Sequence, residues 1–193
     1  MKIGVPKEIK NNEHRVGLTP ESVSELVSNN HEVFIQKDAG AEIGFDNEQY
    51  QKAGAIIINT AQELYENSDL IVKVKEPIPE EFKYLNNKHT VFAYLHLAGD
   101  PKVGLELAST GITGIALETV TADDGSMPLL SPMSAIAGQL SIIVGSYHLL
   151  KPNKGMGTLI GAMDDVERRV VTVIGAGVAG TMAIEKAIGN KAS

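Results

Sequence analysis

Two apolar runs of strand length lie at the ends of the stretch LIVKVKEPIPEEFKYLNNKHTVFAYL, residues 70–95. β-branched and aromatic residues are frequent in both runs, 70–75 and 90–95, which is typical of strands. Lys75 ends the first run, and His96 directly follows the second. Each predicted strand therefore carries an ionisable side chain at its carboxyl end.

The same pattern of short apolar runs and amphipathic segments extends over the first two thirds of the chain. Further strands are predicted at 2–6, 31–36, 55–59 and 111–117, and helices at 46–54, 61–68, 101–110 and from Pro20 onward, with Thr19 as N-cap. This alternation predicts an α/β fold with a mostly parallel sheet flanked by helices. Ligands of such sheets bind beyond the carboxyl ends of the strands, where Lys75 and His96 lie.

A change in composition near residues 121–131, TADDGSMPLLS, predicts a domain boundary, with a first domain at 1–130 and a second segment at 131–193. A long helix is expected from about Pro132 to Leu150, bridging the two. Its apolar part, 135–150, contains polar residues and is short for a bilayer span, so we interpret it as a buried helix. No membrane partner is expected.

Composition excludes several classes of function. The net charge of −7 argues against a nucleic-acid partner, because phosphate binding needs clustered Lys and Arg. The chain has no cysteine, so disulfides, zinc–thiolate sites and cysteine nucleophiles are excluded. The histidines show no metal-ligand spacing, and we predict no metal site. The charged N-terminus lacks a signal-peptide core, and a cytoplasmic location is expected.

A glycine-rich stretch, VVTVIGAGVAGTMAIEKAIGN, occupies residues 170–190. A predicted strand at 170–174 precedes Gly175, Gly177 and Gly180, and a helix is predicted at 181–188. GxGxxG between a strand and a helix is the context of a dinucleotide site, in which the helix N-terminus receives the phosphates. The alternative is a tight turn that binds nothing. Only 13 residues follow Gly180, so we expect an incomplete Rossmann β-α start.

Arg15, Lys75 and His96 are the candidate ligand-binding residues of the first domain. Arg15 could clamp a carboxylate, or it could form a surface ion pair, for instance with Glu13. Lys75 could bind a carboxylate or polarise a carbonyl, or it could be a solvated charge. The imidazole of His96 could transfer protons near neutral pH, or it could serve only as a structural hydrogen-bonding group.

Several collinear motifs resemble alanine dehydrogenases: MKIGVPKEIKNNEHRVGLTP, DLIVKVKEP, FAYLHLA, ALETVTADDGSMPLLSPMSAIAGQLS and VVTVIGAGVAG. The resemblance implies a substrate domain and a Rossmann domain, NAD as cofactor, and a hexamer in the cytoplasm. The implied reaction, part of amino-acid catabolism, converts L-alanine, NAD and water to pyruvate, ammonium and NADH. The NAD-binding part of transhydrogenase shares part of the pattern, but KVKEP and LHLA favour the dehydrogenase.

The resemblance also implies roles for individual residues. Arg15 would bind the substrate carboxylate, Lys75 would contact a substrate oxygen and take part in catalysis, and His96 would bind pyruvate and carry out acid–base chemistry. The residues implied near the cofactor are Met133, Ser134, Gly175, Gly177, Val178, Ala179 and Gly180.

The chain departs from the family in its length, since alanine dehydrogenases are nearly twice as long. We therefore expect an N-terminal fragment that is inactive alone and exposes apolar surface on its first domain. The alternative hypothesis is a non-catalytic module that assembles with other chains or binds a small ligand.

Overall fold

The computed structural model of the protein describes residues 1–161, 163 and 168–193. It divides into two compact units, residues 1–118 and 119–193. The assignment of substrate binding to residues 1–130 and of cofactor binding to residues 131–193 stays a prediction.

The first unit is a six-stranded sheet in the order β3-β2-β1-β4-β5-β6, and each of its five strand pairings is parallel. The strands are β1 (Lys2–Val5), β2 (Glu32–Gln36), β3 (Ile56–Ile58), β4 (Leu70–Lys75), β5 (Thr90–Tyr94) and β6 (Thr113–Ala116). The predicted α/β class and parallel sheet are confirmed. This strand order is that of a doubly wound sheet, with its switch point between β1 and β4.

Five helices flank the sheet: α1 (Pro20–Ser28), α2 (Asn47–Lys52), α3 (Ala61–Asn67), α4 (Pro79–Phe82) and α5 (Pro101–Ser109). Thr19 caps α1 as predicted, since its hydroxyl accepts the Ser22 N–H. Asp46 and Gln49 form a reciprocal capping box at α2. The sequence pattern missed α4, which has only one turn.

Apolar residues of the central strands are buried on both faces of the sheet. One cluster contains Ile71 and Val91 with residues of α3, and another contains Val5 and Ile35 with Val23 of α1. The first unit also exposes the apolar side chains of Leu105 on α5 and Ile115 on the edge strand β6, as expected.

In its described residues, the second unit is built on two α-helices, α6 (Ser131–Leu149) and α7 (Val178–Gly189). A Cβ at Gly138 of α6 would lie 2.1 Å from the carbonyl oxygen of Ala179, so the helices touch at this glycine. Farther along both helices, Ile142 is buried in one cluster with Ala183 and Ala187. The two helices therefore run in the same direction.

Two expectations for this unit are wrong. Residues 170–174 do not form the predicted strand, because a strand needs a partner and the described residues offer only Ser193, whose carbonyl accepts the Val171 N–H at 2.9 Å. Helix α6 is not buried either, since it exposes Ile136, Ile143 and Tyr147. Within the described ranges, no helix combines the length and apolar character needed to cross a membrane.

Candidate functional site

The carboxyl ends of β1, β4 and β5 meet at one edge of the sheet, beside its switch point. The loop after β1 carries Glu8, Glu13 and Arg15, and Lys75 is the last residue of β4. Lys75 pairs with Tyr94 at the end of β5, two residues before His96. The topology thus gathers the ionisable residues predicted for the first domain at the edge where ligands of doubly wound sheets bind.

Strand β4 has a bulge just before Lys75. Val72 pairs with Phe92 and Lys75 pairs with Tyr94, so two residues of β4 lie opposite one residue of β5. The Glu8 carboxylate accepts the N–H groups of Val74 and Lys75, with N–O distances of 2.7 and 3.2 Å. Glu8 therefore supplies the acceptors for this irregular end of the strand.

A buried ion cluster, which the sequence analysis missed, lies beneath this bulge. The Lys73 ammonium is fully buried, 3.0 Å from Glu8 Oε2 and 2.9 Å from Glu81 Oε1. The Tyr65 hydroxyl donates to Glu81 Oε1 at 2.8 Å, and burial, followed by the charge of Glu81, raises the pKa of Tyr65 well above its usual range. The signal in the sequence was a lysine inside the apolar run LIVKVK.

Arg15 forms the ion pair with Glu13 that was one of its two predicted roles. Its Nε and Nη2 atoms donate to Oε1 and Oε2 of Glu13 at 2.8 and 2.7 Å. The Arg15 hydrogen bonds lower the pKa of Glu13 to about 2 although burial opposes this, and the charge of Lys75 also lowers it. Glu13 therefore lies within electrostatic range of both cations.

A glycine lets the loop that carries Arg15 lie directly on the sheet. A Cβ at Gly17 would lie 2.6 Å from the Val72 carbonyl oxygen, a backbone atom of β4. Any larger residue at position 17 would push the loop away, and Arg15 with it.

His96 lies in a turn beyond β5 and is exposed. It lines a cavity of about 340 Å³ together with Lys10 and Glu76, which form an ion pair with each other. The structure thus pairs Arg15 with Glu13 and ends β4 with Lys75 at the same edge, where His96 faces a neighbouring cavity. Among the residues described, no group of three or more histidine or acidic side chains is placed to hold a metal ion.

The glycine loop of the second unit has the backbone expected of a phosphate-binding turn. Gly175 has φ +96°, in the region that favours glycine, and a Cβ at Gly180 would lie 2.0 Å from the Gly175 carbonyl oxygen. Gly177 precedes the first residue of α7, and apart from its neighbours in the chain no described residue has a heavy atom within 4 Å of the position of its missing Cβ. Helix α7 has no side-chain cap, so its first turn fits an anionic group such as a pyrophosphate.

Met133 and Ser134 lie in the first turns of α6, and the N–H groups of both donate to the Leu130 carbonyl. Ser134 is one helical turn before Gly138, on the same face of the helix. Because α6 and α7 run in the same direction and touch at Gly138 and Ala179, Ser134 lies on the side of the glycine loop. Val178 and Ala179, the other predicted cofactor residues, form the first turn of α7.

Two family models match the chain: the alanine dehydrogenase/PNT N-terminal domain over residues 4–137, and the corresponding C-terminal domain over residues 141–193. The chain belongs to the alanine dehydrogenase/PNT family. This confirms the resemblance found in the sequence.

Alanine dehydrogenases are close relatives within this family. Those of Bacillus subtilis and Methanococcus maripaludis are 47% and 46% identical over 98% of this chain. A solved L-alanine dehydrogenase superposes on the whole chain with a TM-score of 0.88 and 44% identity, covering 53% of that structure. A solved transhydrogenase structure from Sinorhizobium meliloti superposes with a TM-score of 0.79 and 28% sequence identity, and the match covers 57% of that structure. The chain spans about half the length of the curated relatives it matches.

Proposed function

We propose that this chain serves as part of an NAD-dependent alanine dehydrogenase, which converts L-alanine, NAD and water to pyruvate, ammonium and NADH. The observation that carries the proposal is the match to alanine dehydrogenases over 98% of the chain. The position of Arg15, Lys75 and His96 at the carboxyl edge of the sheet agrees with this function. A cytoplasmic location and a hexameric assembly stay predictions.

The first unit would hold the anionic substrate. Alanine and pyruvate share a carboxylate, which a guanidinium binds through two parallel hydrogen bonds. Arg15 now makes this kind of contact with Glu13, so the geometry for a carboxylate is already formed. Lys75, whose charge reaches the same carboxylate, would contact a second substrate oxygen.

His96 would move the proton during addition of water and loss of ammonia. Oxidation of the α-carbon gives an imine; water then adds to the imine carbon, and the nitrogen leaves as ammonia after receiving a proton. One ring nitrogen of His96 would carry both protons of the water to the nitrogen in turn, the first as water adds to the imine carbon and the second as the resulting hydroxyl becomes the carbonyl and ammonia leaves. The exposed ring at the end of β5 leaves this edge open to a small ligand.

The second unit would hold the cofactor. The pyrophosphate of NAD would lie at the first turn of α7, with Gly175, Gly177 and Gly180 allowing its close approach and Val178 and Ala179 offering N–H groups. Met133 and Ser134 would lie beside it on α6. NAD bound there would supply the acceptor for the hydride that leaves the substrate α-carbon.

Two measurements on the 193-residue chain test this proposal. Calorimetric titration with pyruvate should show binding that is weakened at least about tenfold in Arg15→Ala and Lys75→Met. Absorbance of reduced nicotinamide reports turnover with L-alanine and NAD. Because the chain is expected to be inactive alone, absence of turnover agrees with the proposal, whereas absence of pyruvate binding in a folded protein would refute it.

A second candidate function, an assembly module, has one observation in its favour. Helix α6 exposes a row of large apolar side chains, Ile136, Leu140, Ile143, Val144 and Tyr147. A surface of this kind is typical of an interaction site. Light scattering after size exclusion would show a stable oligomer if this candidate is right, and a monomer at all concentrations if it is wrong.

A further inference from the structure

Glu118, just beyond β6, binds the backbone on which His96 stands. Its Oε1 accepts the His96 N–H at 2.7 Å, and its Oε2 accepts the Leu95 N–H at 3.2 Å. One carboxylate thus receives two consecutive N–H groups at the carboxyl end of β5. Hydrogen bonds of N–H groups to a charged acceptor are about twice as strong as those between neutral groups.

The backbone of His96 needs such an anchor, because its φ is +44°. This left-handed conformation is unfavourable for a residue other than glycine, and it persists only where the surroundings impose it. The His96 carbonyl accepts the Gly99 N–H at 2.9 Å, which closes the turn. A Cβ at Gly99 would lie 2.2 Å from His96 Nε2, so the ring lies directly against this glycine.

The same arrangement occurs on the neighbouring strand. Glu8 receives the consecutive N–H groups of Val74 and Lys75 at the end of β4. Lys75 and His96 are the two predicted catalytic residues. In each case one glutamate accepts the N–H group of the residue itself and the N–H group of the residue before it. Glu8 also binds the buried Lys73 ammonium, whereas Glu118 is half-buried beyond β6, so the effect of Glu118 on His96 can be tested by itself.

We propose that Glu118 is a positioning residue: its carboxylate holds the backbone of residues 95 and 96 in the conformation that presents the His96 ring at the carboxyl edge of the sheet. The proposal rests on the function proposed above for His96. Without the carboxylate, the turn relaxes toward negative φ and the ring leaves its place against Gly99.

Three variants of the 193-residue chain test this proposal: Glu118→Ala, Glu118→Gln and, as control, Glu106→Ala. Glu106 belongs to a surface pair with Lys102, which should not affect the site. We expect amide hydrogen exchange at His96 to become at least about tenfold faster in Glu118→Ala, the factor that corresponds to one charge-assisted hydrogen bond. The NMR signals of the His96 ring should shift, and pyruvate should bind several-fold more weakly. Glu118→Gln keeps one acceptor oxygen and should restore part of each change.

Unchanged exchange at His96 and unchanged ring signals in Glu118→Ala would overturn the proposal. If Glu118→Ala does not fold, the comparison of Glu118→Gln with wild type decides by the same two signals. Failure of the wild type to bind pyruvate would instead refute the proposed function, since the exchange and ring signals need no ligand.

Discussion

Arg15 holds the Glu13 carboxylate at two points, Nε to Oε1 at 2.8 Å and Nη2 to Oε2 at 2.7 Å. The Glu13 side chain is only 7% exposed, whereas that of Arg15 is 48% exposed. The arginine therefore pairs with a buried anion on one side while it remains open to solvent. A carboxylate ligand that binds Arg15 has to share the guanidinium with Glu13 or displace Glu13 from it.

This pair makes the stability of the chain depend on acid pH. The Arg15 hydrogen bonds lower the pKa of Glu13 from 4.5 to about 2 in the folded state. A carboxyl group whose pKa is lower in the folded state stabilises the fold at pH values above its unfolded-state pKa. This stabilisation is lost as the pH falls toward the folded-state pKa. We expect the free energy of unfolding of wild type to exceed that of Glu13→Gln by about 1–2 kcal/mol at neutral pH. This figure allows for the exposure of Arg15 to solvent. Urea unfolding at several pH values should show that this difference in unfolding free energy becomes smaller as the pH falls below 4.5.

A difference that stays constant over this range would contradict the prediction. Glu48→Gln is the control, because Glu48 forms an exposed pair with Lys52 and should show little change at any pH.

Replacing Arg15 by lysine should separate charge from geometry. Lysine keeps the positive charge but cannot form two parallel hydrogen bonds with one carboxylate. We expect Arg15→Lys to weaken pyruvate binding about tenfold, with a change in unfolding free energy below about 1 kcal/mol. Calorimetric titration and urea unfolding measure the two effects. Equal affinity for pyruvate in Arg15→Lys and wild type would mean that Arg15 contributes only its charge. Lys52→Gln, which removes an exposed charge on α2, is the control and should leave the pyruvate affinity unchanged.

The two lysines of the KVKEP motif should have opposite phenotypes. Lys73 is fully buried between Glu8 and Glu81, so Lys73→Met leaves two buried carboxylates without their cation. Removal of one partner from a buried ion pair costs about 3–5 kcal/mol. We expect Lys73→Met to lose this much in urea unfolding, and Lys75→Met to lose less than about 1 kcal/mol while it loses pyruvate binding.

The opposite result, a stable Lys73→Met that no longer binds pyruvate, would show that Lys73 and not Lys75 has the ligand-binding role. Both variants replace lysine by a side chain of similar length, so their comparison does not depend on volume.

Local patterns predicted most of the first unit. The apolar runs specified all six strands because a doubly wound sheet buries its strands on both faces, and Thr19 marked the start of α1 because its hydroxyl oxygen caps a free N–H group. The failure at Val170–Ile174 has the converse cause. β-branched residues favour a strand, but the ladder forms only where a partner strand exists.

Long-range contacts between charged groups could not be predicted. Glu8 and Lys73 are 65 residues apart, and Glu118 is 22 residues from His96. No local pattern tells a glutamate that accepts two N–H groups from one that faces solvent. Arg15 and Lys75 were recognisable as candidates because strand ends in parallel sheets share an edge. The residues that hold those strand ends became visible only in the structure.

Two glycines of the loop should respond differently to alanine. At Gly177 the backbone has φ −71°, which alanine adopts, and the part of the chain that the structure describes places no heavy atom within 4 Å of the new Cβ, apart from its chain neighbours. At Gly180 the new Cβ would meet the Gly175 carbonyl oxygen at 2.0 Å. We expect Gly180→Ala to destabilise the second unit by about 1–3 kcal/mol, and Gly177→Ala to change its stability by less than about 0.5 kcal/mol.

The same pair tests whether the loop binds NAD. A methyl group at Gly177 would occupy the space through which a pyrophosphate approaches the first turn of α7. Gly177→Ala should therefore weaken NAD binding in a calorimetric titration while its thermal unfolding matches that of wild type. Since α7 and its loop remain intact in that variant, unchanged NAD affinity would show that the open space at Gly177 is not a phosphate site. Loss of both stability and affinity in Gly180→Ala alone would reflect the fold of the loop, because the clash there involves backbone atoms of the turn itself.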